Sequence, residues 1–114
     1  MTAIKINVQE PYYSYILKGE KTVEGRLNKG KFASLRAGDI LAVGPNEICF
    51  KVIYKKIYKS FREMIKKEGI KNVIPDKKTI KEATEVYYKF FTPEEEKTFK
   101  VLAIKIRKMK KEEK

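Results

Sequence analysis

The residue types best suited to binding or catalysis lie together in one stretch, residues 19–26 (GEKTVEGR). A strand over residues 21–27 would place the side chains of Thr22, Glu24 and Arg26 on one face, about 7 Å apart. Lys21, at the start of that strand, can reach the same face. Such a wall could bind a polar ligand or polarise an amide, although a surface salt-bridge ladder has the same spacing.

Two glycines frame this wall. Gly19 ends a helix predicted over residues 11–18, because glycine readily takes the left-handed conformation at a helix C-terminus. Gly25 has no side chain, so a ligand or another backbone segment can approach the strand closely there. The stretch is therefore predicted to be a helix end followed by the strand that carries the candidate site.

The composition excludes several kinds of active site. The chain has 114 residues, with 27 Lys and Arg against 15 Asp and Glu, one cysteine and no histidine, which gives a net charge of +12. A His/Cys zinc site, a Ser-His-Asp triad and an imidazole general base are therefore excluded. Glu24, Asp39 and Glu68 are too scattered along the chain to indicate a metal-dependent ribonuclease. No metal or cofactor is expected.

The positive charge is concentrated in residues 51–67, which hold seven basic residues and one acidic residue, Glu63. Tyr54, Tyr58 and Phe61 are interleaved with them. Basic side chains that follow a polyanion and rings that stack on bases are typical of a nucleic-acid surface. The predicted contacts are Lys51, Lys55, Lys56, Lys59 and Arg62. The alternative is that these lysines form a solvated face and that the aromatic residues belong to the core.

A chain of this length has room for one domain. It has no apolar run near the roughly 18 residues of a membrane span, and its N-terminus lacks the pattern of a signal peptide. We therefore expect a cytoplasmic protein without a membrane partner, in which residues 109–114 form a basic C-terminal tail. The abundance of Lys and Glu beside a single Gln is typical of hyperthermophile proteins.

Alternating apolar side chains predict strands, and capping residues predict helices. The predicted strands are residues 2–8, 21–27, 40–44, 48–58 and 99–106. Helices are predicted over residues 11–18 and 60–68, and from Thr79 and Thr92 onward. The fourth strand is expected to bend after Tyr54, the fifth to be central, and residues 28–39 to form a loop or turn. This pattern favours a small α+β barrel-like fold over a doubly wound parallel sheet.

Gly19, Lys21, Glu24 and Arg26 match the motif G-x-K-x-x-E-x-R, which resembles the signature of the ASCH domain family. The order of the elements is also similar to that of stand-alone archaeal and bacterial ASCH proteins over nearly the whole chain. The sequences LRAGD at 35–39, YKSF at 58–61 and YY at 87–88 add to the likeness. The resemblance implies a single α+β domain over residues 1–108, a PUA-like mixed β-barrel of about six strands with flanking short helices.

The resemblance also implies a function. The family is associated with RNA binding and with RNA or nucleoside metabolism, so the expected partner is RNA or a nucleotide. The ligand-binding cleft would be formed by Gly19, Lys21, Thr22, Glu24 and Arg26. Arg26 would be paired to Glu24, and the basic residues of 51–67 would hold phosphates beside the cleft.

The alternative is an enzyme. One bacterial branch of similar proteins hydrolyses the acetyl amide of N4-acetylcytidine with a Lys, a Thr nucleophile and a carboxylate. Lys21 matches that Lys, but Glu24 stands at the Thr position and Thr22 lies two residues earlier; the carboxylate would be Glu68 or else Glu63. In this chain Glu24 would activate water, and its basic neighbours would stabilise the oxyanion.

Overall fold

The computed structural model describes residues 3–110, which form five strands and six helices. The strands are β1 (Ile4–Ile6), β2 (Val23–Leu27), β3 (Ile40–Val43), β4 (Ile48–Tyr58) and β5 (Val101–Lys108). The helices are α1 (Tyr12–Lys18), α2 (Gly30–Ala33), α3 (Phe61–Glu68), α4 (Ile70–Val73), α5 (Ile80–Tyr87) and α6 (Pro93–Phe99). Within this range no helix is long and apolar enough to cross a membrane.

The strands form one mixed sheet in the order β1-β3-β4-β5-β2. β1 and β3 run parallel, and the other neighbouring pairs are antiparallel. The sheet curls into a half-barrel that stays open between its edge strands, β1 and β2. The α+β class and the barrel-like, mixed sheet are confirmed.

The described strands number five, where the resemblance implied about six. The segment between β2 and β3, predicted as a loop or turn, contains the short helix α2 and adds no strand. β4 is irregular, because its pairing with β5 shifts register between Val52 and Tyr54. The predicted bend therefore exists, but it lies just before Tyr54.

β5 is the central strand that its nearly unbroken apolar sequence predicts. It pairs with β4 on one side and with β2 on the other, and residues 101–104 are fully buried. Both faces of the sheet are covered at this strand, which explains the loss of alternation. β5 begins at Val101 because α6 extends through Phe99, and Lys100, with φ of 71°, turns the chain between them.

A hydrophobic core covers each face of the sheet. On one face, Phe61 and Met64 of α3 pack with Val23 of β2. On the other face, Ile16 of α1 packs in a cluster with Leu41 of β3. Full burial of such a side chain contributes about 1.5–3 kcal/mol. The first core packs β2 against α3 and α5, and the second packs α1 against the opposite face of the sheet.

Three helices begin at capping residues indicated by the sequence. Ser60 Oγ accepts a hydrogen bond from Glu63 N at 3.0 Å, and Thr79 caps α5 in the same way. Thr92 and Glu95 form a complete capping box, in which each side chain bonds the other residue's backbone N–H. Each cap contributes about 1 kcal/mol and fixes where its helix starts.

The C-terminal segment is partly packed. Met109 is buried and donates its backbone N–H to Cys49 O at 3.0 Å. Of the predicted tail over 109–114, residues 111–114 lie outside the described residues, as does Thr2 of the first predicted strand.

Candidate functional site

The open side of the half-barrel holds a cavity of about 190 Å³. The edge strand β2 forms one wall, and the loop of residues 7–9 that leaves β1 forms the opposite one. Tyr12 of α1 and the end of α5 close the space between them. Pockets for drug-sized ligands measure about 300–1,000 Å³, so this cavity suits one small heterocyclic group.

Glu24 lies at the centre of the polar wall and is 5% exposed. Its Oε2 accepts hydrogen bonds from Arg26 Nε at 3.0 Å and from Arg26 Nη2 at 2.8 Å. Its Oε1 accepts from the Gly25 N–H at 3.1 Å and lies 3.4 Å from Lys21 Nζ. These four contacts fill the roughly four acceptor sites of an ionised carboxylate. The pairing of Arg26 with Glu24 is the one the sequence predicted.

Lys21 is buried, being 2% exposed, rather than extended over the strand end. Its Nζ donates to Val23 O at 2.7 Å and to Val73 O at 2.6 Å. An ammonium group has three N–H donors, and the third is left for the Glu24 carboxylate. Lys21 therefore ties β2 to α4 and has no free donor.

Burial and neighbouring charges shift the pKa values of this pair. Burial lowers the pKa of Lys21, and Glu24 opposes that shift only in part. Burial alone would raise the pKa of Glu24, but the charges of Arg26 and Lys21 outweigh it and hold the pKa below its usual value. Glu24 is therefore an ionised carboxylate at neutral pH and a weak general base.

Arg26 bridges the open side of the half-barrel. Its Nη2 donates to Asn7 O at 2.5 Å, and its guanidinium lies 4.8 Å from the centroid of the Phe32 ring. Nε and Nη2 are occupied by Glu24 and Asn7, whereas the two N–H groups of Nη1 make no hydrogen bond within residues 3–110. Arg26 also borders the cavity.

Gly25 is the point where α5 meets β2. A Cβ at this position would lie 2.6 Å from Tyr87 Oη and 2.7 Å from Met64 Cε, which is closer than atoms can approach. The group that approaches Gly25 is thus the Tyr87 side chain. Tyr87 is 5% exposed and borders the cavity, and its hydroxyl has no hydrogen-bond partner in the part of the chain described.

Aromatic rings complete the cavity wall, namely those of Tyr12, Tyr87, Phe90 and Phe91. Phe90 is 51% exposed, so one of these rings faces both solvent and the cavity. Burial and a hydrogen bond with Asp76 raise the pKa of Tyr12, whose hydroxyl stays protonated. Tyr87 also belongs to the core, where its ring stacks on Phe61 at 4.5 Å. A single aromatic stripe thus serves both the core and the cavity.

Two residues of the predicted cleft lie outside the cavity. Lys21, Glu24 and Arg26 border it, but Gly19 and Thr22 do not. Gly19 is the left-handed C-cap of α1, with φ of 82°, and Thr22 Oγ1 accepts a hydrogen bond from Lys105 Nζ at 3.0 Å.

The two carboxylates proposed for an enzyme also lie elsewhere. Glu68 accepts hydrogen bonds from the hydroxyls of Tyr54 and Tyr58, and burial together with this bond raises the pKa of Tyr54 to about 12. Glu63 is paired with Lys59 at 3.7 Å. Neither carboxylate borders the cavity. Among the described residues, no group of three His, Cys, Asp or Glu side chains could hold a metal ion.

The predicted basic residues of β4 and α3 lie apart from the cavity. Those predicted to contact nucleic acid, none of which borders the cavity, are Lys51, Lys55, Lys56, Lys59 and Arg62. Lys55 Nζ donates to Ala33 O at 2.6 Å, and Lys56 Nζ lies 4.5 Å from the centroid of the Tyr54 ring. Lys56, Lys59 and Arg62 are exposed. We call these five residues the basic surface.

Sequence reasoning did not single out Asn7 and Gln9, which are at least partly exposed and border the cavity. Two amides after a short strand carry no recognisable signal in a single sequence. Their position at the cavity follows from β1 lying across the open side from β2, which is a tertiary feature.

The ASCH domain family model matches residues 6–110 of the chain. The chain belongs to the ASCH domain family. This ASCH domain is similar to the hypothetical protein PH0355, known from a crystal structure, with 38% sequence identity and a TM-score of 0.90. The match covers 95% of this chain and 100% of the PH0355 chain. The solution NMR structure of protein PF0455 from Pyrococcus furiosus is 34% identical over 96% of this chain and 99% of its own, with a TM-score of 0.81. No curated protein matches the chain significantly.

In this ASCH domain each of the four motif residues has a different structural role. Gly19 ends α1, and Lys21 ties β2 to α4. Glu24 holds the guanidinium of Arg26 in place. Of the four, only Arg26 borders the cavity and also has side-chain donors that make no hydrogen bond within residues 3–110.

Proposed function

We propose that this ASCH domain binds single-stranded RNA and accepts one unpaired base in the cavity on its open side. RNA binding is the role associated with the family. The observation that carries the proposal is a cavity with one buried, charged wall and aromatic rings around it. Proteins recognise unpaired RNA bases by stacking them on aromatic side chains and by hydrogen bonding their edges.

The rings bordering the cavity supply the stacking surface. Phe90 is the most exposed of them, and one stacked base contributes about 1–3 kcal/mol. Asn7 and Gln9 border the cavity on the opposite side. Since an amide group both donates and accepts, these two residues can bond the edge or the sugar of a nucleotide.

The charge of the molecule supports a polyanionic partner. The net charge is +12, and the basic surface adds exposed side chains that can contact phosphates. Phosphate contacts supply affinity and position the RNA, whereas contacts to the base distinguish one nucleotide from another. In this proposal the basic surface attracts and positions the strand, and the cavity selects the base.

A hydrolase has less support. Water activation needs a carboxylate with a free lone pair, but Glu24 is already surrounded by polar partners and has a lowered pKa. Every donor of Lys21 is engaged, and Thr22 lies outside the cavity. We therefore infer binding without hydrolysis of an acetylated nucleoside.

Fluorescence anisotropy with a single-stranded RNA and with the same RNA in a duplex tests the proposal. We expect tighter binding of the single strand and a loss of about tenfold in Phe90→Ala, because losing one stacking ring removes about 1–3 kcal/mol. Ile53→Ala removes another exposed apolar side chain, 41% exposed on β4, and should keep the affinity. Equal affinity of Phe90→Ala and the wild type, or no binding of RNA, would contradict the proposal.

A further inference from the structure

The second half of β4 has an open edge, because β4 is longer than the strand beside it. β3 pairs with residues 48–51 of β4. Two further backbone bonds join Val52 to the chain before β3, from Gly38 N at 2.7 Å and to Asp39 O at 2.8 Å. Beyond Val52, residues 53–58 pair with β5 on one side and make no backbone hydrogen bond to any other described segment. We call residues 53–58 the β4 edge.

The β4 edge is long enough to hold a complete strand. At about 3.4 Å per residue, its six residues span about 20 Å, the usual length of a strand in a globular protein. Natural proteins normally keep an unpaired edge short, charged or covered, because its free N–H and C=O groups can pair with another chain.

The side chains of the β4 edge are accessible, and two of them are apolar. None of the six is buried, and Ile53 and Ile57 are 41% and 60% exposed. Neither isoleucine belongs to a hydrophobic core of the described residues. A single exposed isoleucine is ordinary on a protein surface. Two of them on an unpaired strand form an apolar surface in line with free backbone groups.

The charge around the β4 edge is positive. Residues 48–62 contain five basic residues and no acidic one. Lys55 and Lys56 lie on the edge itself, and because successive side chains of a strand point to opposite faces, each face carries one of them. The carboxylates of α3 are already engaged: Glu63 forms a salt bridge, and Glu68 accepts hydrogen bonds from two tyrosine hydroxyls.

These features define the strand that would fit. An added strand bonds the free backbone groups of an edge, and its side chains decide which partner binds. A second copy of this chain would bring Lys55 and Lys56 close to the same lysines, and like charges on neighbouring strands are destabilising. An extended segment with carboxylates near these lysines and apolar side chains near Ile53 and Ile57 is complementary in both charge and hydrophobicity.

We propose that the β4 edge binds an extended acidic segment of a partner protein, which adds a strand to the sheet beside β4. RNA phosphates would use the lysines alone. The two isoleucines and the free backbone groups are features that a polypeptide can use, and all of them lie on the same six residues. This binding surface is independent of the cavity, since no residue of the β4 edge borders it.

Two blocked octapeptides, EVVEEVVE and KVVKKVVK, test the proposal. As an extended strand, each places two charged and two apolar side chains on either face, so they differ only in the sign of the charge. We expect the acidic peptide to bind about tenfold more tightly, because several cross-strand pairs change from attraction to repulsion. The acidic peptide should also slow hydrogen exchange of backbone amides within residues 53–58, which NMR measures residue by residue.

Ile53→Ala/Ile57→Ala tests the apolar contribution. Both side chains are exposed in the free protein, so the variant keeps its fold. We expect it to bind EVVEEVVE about tenfold more weakly, because less apolar area is covered by the added strand. Phe90→Ala is the matched control, since it removes an exposed apolar side chain at the cavity. It should keep the affinity for the peptide.

Three results would overturn strand addition by an acidic segment: equal affinities of the two peptides, binding without slower exchange at residues 53–58, or an unchanged affinity in the isoleucine variant. A dimer of the free protein in analytical ultracentrifugation that the isoleucine variant abolishes would assign the edge to a second copy instead. Octauridylate that slows exchange of the same amides and binds the isoleucine variant more weakly would assign it to RNA. A failure of base binding at the cavity would leave this proposal standing.

Discussion

Charged side chains that are buried at one wall need partners, and the hydrogen bonds of Lys21, Glu24 and Arg26 show how that need is met. A buried ion pair adds little stability over an apolar substitute, but removing one partner costs about 3–5 kcal/mol because the other charge is left uncompensated. Stability alone therefore does not explain why these three charged residues are buried together. Their place on the wall of a cavity that is also lined by aromatic rings fits a binding site better.

Glu24→Gln should lower the free energy of unfolding at pH 7 by about 3 kcal/mol, since Lys21 and Arg26 lose their counter-charge. Urea denaturation measures the change. Glu47→Gln serves as the control, because Glu47 is exposed and pairs with exposed Lys5 at 3.5 Å; such a surface pair contributes less than about 1 kcal/mol. Similar stability losses in the two variants would show that the buried cluster does not hold the charges as described.

The same residue predicts an acid dependence. The pKa of Glu24 is lower in the folded protein than its ordinary value of 4.5. Its contribution to stability is therefore fully present above that value and is lost as the pH falls through the folded pKa. The unfolding free energy of Glu24→Gln should consequently fall less steeply below pH 4.5 than that of the wild type. Parallel curves would contradict the shift.

At the scale of elements, the packing of α5 on β2 decides the shape of the site. It depends on Gly25, where a Cβ would meet Tyr87 and Met64. This packing brings the aromatic end of α5 to the polar wall of β2. Local sequence patterns predicted both elements, through Thr79 as a cap and through alternation in the strand, but they did not predict that the two would meet.

Gly25→Ala should therefore destabilise the protein by about 1–3 kcal/mol, the usual cost of overpacking. Adding Tyr87→Phe removes the nearest clashing atom, so the double variant should lose less stability than Gly25→Ala alone. Thermal or urea unfolding of the three proteins checks this. A Gly25→Ala variant as stable as the wild type would mean that α5 can move away from β2 freely.

The helices α2 and α4 were not predicted from the sequence, and the reason is physical. α2 and α4 have four residues each and no side-chain cap, so they lack the signals that reveal longer helices. Tertiary interactions specify them: Phe32 of α2 lies against Arg26, and Val73 O of α4 accepts from Lys21. The capped helices α3, α5 and α6 were predicted because their start signals are local.

At the scale of the whole molecule, the charge of +12 and the cavity are expected to act separately. Lys56→Gln/Arg62→Gln removes two exposed charges of the basic surface. We expect weaker RNA binding and a log-log salt slope that is smaller by about 0.7 for each phosphate the variant no longer neutralises. The preference for single strands should stay unchanged, because the cavity is intact.

The control for this measurement is Lys78→Gln/Lys97→Gln, which removes two exposed charges outside the basic surface. Anisotropy titrations at several salt concentrations give the slope for each protein. Equal slopes in the two double variants would show that the basic surface has no special role in binding RNA.

The sequence by itself determined the family, the α+β class, most of the strands and the charged wall of β2. These features depend on local patterns: a helix stop at Gly19, alternation through Arg26, and caps at helix starts. Only the tertiary structure decided that the wall borders a cavity, that Lys21 is buried within it, and that the basic surface lies elsewhere. The cavity joins residues 7–9, β2 and α5, which are far apart in the chain. Burial and unpaired donors arise from the packing of such distant segments, so no local pattern of residue types reports them.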